Sequence, residues 1–158
     1  MKVAVIMGSK SDFPKVEEGI KVLKEFGIEV VVRALSAHRT PVQLTECLEG
    51  LEDNTDVIIA AAGKAAHLPG VIAAQTLIPV VGLPIKSSTM DGLDSLLSIV
   101  QMPKGIPVAT VAIDGGLNSA LMAIQMMSLK YPKLKEQLKS YRDEMAKKVL
   151  EDDESLNI

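Results

Sequence analysis

The chain has 158 residues, of which 47% are hydrophobic and 23% charged, and its formal net charge is −3. This length can bury a substantial core, while the charge balance lacks the basic footprint of a nucleic-acid partner. Two Phe, two Tyr and no Trp leave few platforms for base or flavin stacking, and a single cysteine, Cys47, excludes an internal disulfide framework and fits a reducing compartment.

VAVIM (3–7) has the uniformly apolar, β-branched character of a strand buried on both faces. Gly8 and Ser9 interrupt the run, so it reads as a strand rather than a signal peptide. No apolar run reaches bilayer length, and the expected setting is the cytoplasm, with no membrane partner. In DFPKVEEGIKVLKEFG (12–27), Val16, Ile20, Leu23 and Phe26 fall on one helical face and Gly27 supplies a stop. IEVVVRAL (28–35) is a second, less pure strand. The helical run VQLTECLEGL follows, with Cys47 as a core or semi-buried thiol rather than a nucleophile. VIIAA (57–61), IPVVGL (78–83) and IPVATVAI (106–113) complete the strands. SALMAIQMMSLK is apolar nearly all round and predicts a helix buried in the core or in an interface. After Pro132, Leu134, Leu138, Tyr141, Met145 and Val149 form a helical stripe. Two readings of it stand, a solvated helix laid on the body or a subunit contact.

Alternation of strand and helix predicts an α/β fold, a flavodoxin-like doubly wound parallel sheet in three layers with a C-terminal helical extension. No repeat or linker divides the chain, so residues 1–158 read as a single domain, with a core over 1–130 and a helix and tail over 131–158.

Ligands of open α/β sheets bind outside the carboxyl ends of the strands, which directs attention to three joints. In GSKSD (8–12), Gly8 permits close backbone approach, Ser9 and Ser11 offer hydroxyls, and Asp12 is a candidate N-cap ahead of Pro14. It is neither a Walker loop nor GxGxxG. In SAHRTP (36–41), the pattern Thr40-Pro41-Val42-Gln43 predicts a capping box and sets Ser36, His38 and Arg39 ahead of a helix N-terminus. Arg39 suits bidentate phosphate binding with Ser36 as a further donor, and His38 can exchange a proton near neutral pH. In AAGKAAHLPG (61–70), small residues surround His67, which reads as a second proton carrier or, preferably, as a hydrogen-bonding support of the loop. Lys64 reads either as a carboxylate ligand or as a solvated lysine. Both histidines fall at the same end of the sheet. Zinc spacings, HExxH, GxSxG and the acidic cluster of receiver domains are all missing from the sequence. What remains is proton-transfer chemistry on a small phosphorylated metabolite.

MGSKSD (7–12), SAHRTP (36–41), AAHLPG (65–70) and GLDSLLSIVQMPKGIPVATVAI (92–113) resemble, in order and spacing, the class I PurE family of purine biosynthesis over residues 3–130. The resemblance implies a homo-octamer that isomerises N5-carboxyaminoimidazole ribonucleotide by loss and recapture of CO2, without metal, ATP or biotin. It implies that His38 carries the proton, that Ser9, Ser36, Arg39 and Ser11 bind the phosphate, and that Asp12 accepts from the ribose hydroxyls. The loop over 63–68, with Gly63, Lys64, Ala65, His67 and Leu68, would close over the imidazole and its carboxylate. The family's loop commonly reads GAGGAAHLPG, so Lys64 here replaces a glycine. Two alternatives remain, direct carboxylation by CO2 as in the class II enzymes and a non-catalytic nucleotide-binding module.

Overall fold

The computed structural model describes residues 1–156; positions 157–158, the end of the expected C-terminal tail, lie outside the described residues. Five strands form one parallel sheet in the order β2-β1-β3-β4-β5. They are β1 (Lys2–Met7), β2 (Glu29–Ala34), β3 (Val57–Gly63), β4 (Val80–Ile85) and β5 (Ala109–Thr110). The helices are α1 (Phe13–Glu25), α2 (Pro41–Glu49), α3 (Leu68–Ala73), α4 (Leu93–Val100), α5 (Gly116–Ser128) and α6 (Pro132–Ser155).

The period of two along the central strands divides the core into two faces. Val3, Val5, Met7, Val57, Ile59 and Ala61 point toward α1, α5 and α6. Ala4, Ile6, Ile58, Ala60 and Ala62 point toward α2, α3 and α4. Helices therefore cover both faces, and the chain has the doubly wound, flavodoxin-like architecture. The apolar face foreseen for α1 is in place, with Val16, Ile20 and Leu23 buried and Gly27 at φ 73 ending the helix.

Two details depart from expectation, and a third, the less pure second strand, is explained by its place in the sheet. The fifth strand keeps only Ala109 and Thr110, because Pro103 and Pro107 offer no N–H and Gly105 turns the chain at φ 99. Its line to β4 is nevertheless continued by bonds from Val111 N to Gly82 O and from Asp114 N to Pro84 O. In α6, Leu134 and Leu138 are buried and Tyr141 packs on Phe26 with ring centroids 6.0 Å apart. Beyond that the stripe leaves the body, and Met145 and Val149 are 54% and 66% exposed. Strand β2 lies at the sheet edge and is mostly exposed, which accounts for its less apolar sequence.

Candidate active site

Because all five strands run the same way, the ends of β1, β2, β3 and β4 and the joints that follow them share one edge of the sheet. An open cavity of about 670 Å3 lies there. Gly8, Ser9, Ser11 and Asp12 after β1, Ser36, His38 and Arg39 after β2, and Gly63, Lys64, Ala65 and Leu68 after β3 all line it. Every candidate named from the sequence reaches this cavity except His67.

The joint after β1 is a 3-10 turn, Lys10–Asp12, rather than a direct helix start. Ser9 caps it: its Oγ accepts from the Ser11 amide at 3.3 Å and from the Ser11 hydroxyl at 2.8 Å. Asp12, expected as a side-chain cap of α1, makes no capping bond. Its carboxyl is pushed above the ordinary value of 3.8, mainly by burial. Hydrogen bonds from Ser9 and Ser11 and the charge of Arg39 offset that only in part.

The capping box expected at 40–43 also does not form. Thr40 occupies the N-cap position of α2, but its hydroxyl turns into the loop, accepting from Ser36 N at 2.9 Å and donating to Ser36 O at 3.1 Å. The result is a closed turn over 36–40 that presents His38 and Arg39 outward. Arg39 then reaches across the edge, donating from Nη2 to the Gly8 carbonyl at 2.8 Å and from Nε to Ser36 Oγ at 3.3 Å. This ties the β1 and β2 joints together and fixes the guanidinium at the cavity wall.

His67 occupies the N-cap position of α3, with its Nδ1 2.5 Å from the carbonyl oxygen of Ser98 on α4. A carbonyl oxygen only accepts, so Nδ1 carries the proton. The ring lies over Gly70, where a Cβ would meet Nε2 at 2.0 Å. The motif HLPG thus has a local reason: glycine makes room for the histidine that fastens the loop to α4.

Sequence reading passed over Ile85, Lys86 and Ser87, which line the cavity from the end of β4. Their signal was available, since KSS directly follows an apolar strand. Asp114 holds this joint, accepting from Lys86 N at 2.8 Å while its other oxygen meets Lys15 Nζ at 2.6 Å.

The AIR carboxylase family model matches residues 2–148. A Pyrococcus abyssi protein described as "N5-carboxyaminoimidazole ribonucleotide mutase" is 58% identical over 145 residues, 91% of this chain and 83% of its own. A Saccharolobus solfataricus protein of the same description is 51% identical over 150 residues, 94% of this chain and 95% of its own. The crystal structure of Treponema denticola PurE superposes with a TM-score of 0.90 at 32% identity, covering 99% of both chains. With this match along nearly its whole length, the chain belongs to the AIR carboxylase family.

Proposed function

We propose that the chain isomerises N5-carboxyaminoimidazole ribonucleotide to the 4-carboxy-5-amino isomer in purine biosynthesis. The observation that carries this is the meeting of an anion-binding wall and an exposed histidine in one cavity. Ser9, Ser36 and Arg39, with Ser11, bind the phosphate, and Asp12 accepts from the ribose hydroxyls. The loop from Gly63 through Lys64 and Ala65 to Leu68 shields the imidazole, and His67 supports that loop from behind. Two bonds change. The carbamate C–N bond breaks and CO2 leaves as the exocyclic nitrogen takes a proton from His38. Ring carbon C4 then attacks CO2, and His38 recovers the proton that C4 gives up. Proton count is unchanged over the cycle, and one imidazole suffices for both transfers. Closure of the 63–68 loop over the open cavity would keep water out and retain CO2 long enough for recapture.

The reading includes a homo-octamer and a cytoplasmic setting. Support for assembly comes from apolar surface: Leu93, Leu97 and Val100 recur along α4 at 45%, 46% and 45% exposure, apart from Met145 and Val149 on α6. The test offers the purified protein freshly made carbamate nucleotide without bicarbonate. The C4-carboxylated product is followed, and the active species is sedimented against a chain mass of 16.9 kDa. Product from the carbamate in a species of about eight chains is expected. Product only from aminoimidazole ribonucleotide plus bicarbonate would replace isomerisation by direct carboxylation.

A further inference from the structure

Three cationic side chains line the cavity, and two of them are engaged. Arg39 donates to Gly8 and Ser36, and Lys86 Nζ lies 3.0 Å from Asp91. Lys64 is exposed and forms no ion pair among the described residues. Its backbone is also unusual, with φ at 58°. There an L-residue's Cβ crowds the chain, and glycine would sit without strain. A strained lysine kept at the lip of a cavity directs attention to what its ammonium does.

Position narrows the answer. Gly63, just before Lys64, pairs with Ile85, so Lys64 stands beside the β4 joint. Arg39 stands at the β2 joint, two strands away in the order β2-β1-β3-β4-β5, a lateral distance of about 10 Å. The substrate of the proposed reaction carries two anionic groups, a phosphate at one end and a carboxylate on the base at the other. With the phosphate held by Arg39, Ser36 and Ser9, the base and its carboxylate fall toward the β3 and β4 joints.

We infer that Lys64 holds the migrating carboxylate and sets a preference for carboxylated over decarboxylated nucleotide, an inference that rests on the function proposed above. The ammonium attracts the carboxylate of the carbamate and that of the product, but has no comparable hold on neutral CO2. It therefore stabilises substrate and product more than the CO2 state between them, so its removal raises KM without lowering kcat.

The experiment compares wild type, Lys64→Gln and Lys64→Gly. Lys64→Gln removes the charge and keeps the strained backbone, whereas Lys64→Gly removes both. Expected for both variants is a KM for the carbamate nucleotide raised about tenfold, equivalent to about 1.4 kcal/mol, with kcat not lowered. Their affinity for decarboxylated aminoimidazole ribonucleotide should stay at the wild-type value. Lys64→Gly alone should also melt about 3 °C higher. Equal weakening toward both nucleotides would transfer Lys64 to phosphate binding, and an unchanged KM would remove it from the site; either result overturns the inference while an active wild type leaves the isomerase reading standing. A wild type that does not convert the carbamate would bring down that reading and this inference together.

Discussion

His38 presents an exposed imidazole to the cavity, whereas His67 is turned away from it and tied to α4. The same residue type should therefore fail in two different ways. His38→Asn should lower kcat about a thousandfold, the scale of lost general acid–base catalysis, with melting unchanged, because the exposed ring contributes no packing. His67→Asn should lower stability by about 1 kcal/mol through the bond lost to Ser98 O, with kcat reduced less than tenfold. Steady-state kinetics beside thermal unfolding separate the two, and a well-folded His67→Asn as inactive as His38→Asn would reassign the proton carrier. The sequence placed both histidines at the right edge of the sheet. It could not separate them, because the partner of His67 is a backbone carbonyl 31 residues away, and a carbonyl leaves no mark on residue type.

Among the elements, the amphipathic helix α1 was readable from its periodicity and the central strands from their unbroken apolar runs, because both report burial directly. The joints were only half readable. Thr40-Pro41-Val42-Gln43 has the letters of a capping box, yet the Thr40 hydroxyl gains two bonds within the 36–40 turn by facing Ser36 instead. Local pattern proposed one partner and local geometry offered a better one. The β4 joint depends on Asp114, which sits at φ 58 and connects Lys86 N to Lys15, one turn beyond Asp12. Close packing of α1 on α5 stiffens that connection: a Cβ at Gly116 would meet the Lys15 carbonyl oxygen at 2.0 Å. Asp114 is therefore a positioning residue for two cavity walls, and its substitution should act on binding. Asp114→Asn retains an acceptor for Lys86 N but loses the ion pair, and KM should rise about threefold. Asp114→Gly relieves the left-handed backbone yet removes both contacts, and KM should rise further even though strain is gone. Unchanged KM in both variants would leave Asp114 with a purely architectural part.

Over the whole molecule, the parallel sheet gathers the cavity at one edge and leaves the opposite edge to hold the fold together. Asp56, just before β3, does much of that work there. It accepts from Lys2 N at 3.0 Å, from Lys130 Nζ at 2.9 Å and from the Tyr131 hydroxyl at 2.9 Å. One carboxylate thereby joins the start of β1 to the turn between α5 and α6. Nothing in the stretch EDNTD singles Asp56 out, because its partners come from 54 and 75 residues away. Burial alone would raise its pKa, but hydrogen bonds from Lys130, Lys2 and Tyr131 outweigh burial and hold it below 3.8. Asp114 is depressed in the same way, with the bonds and charges of Lys15 and Lys86 outweighing its burial. A carboxyl that binds its proton more weakly in the folded state stabilises the fold above the unfolded value of 3.8. That contribution fades as pH falls through the lower, folded value. Asp56→Asn should therefore be less stable than wild type by about 1–2 kcal/mol at neutral pH, the scale of hydrogen bonds to a charged group. As pH falls below 3.8 and through the lower folded value, the wild-type carboxylate takes up its proton, so the gap should close. Urea unfolding at fixed protein concentration, run from pH 7 down to pH 2, reads this directly. A gap that stays constant across the range would mean that Asp56 acts through its shape and not its charge.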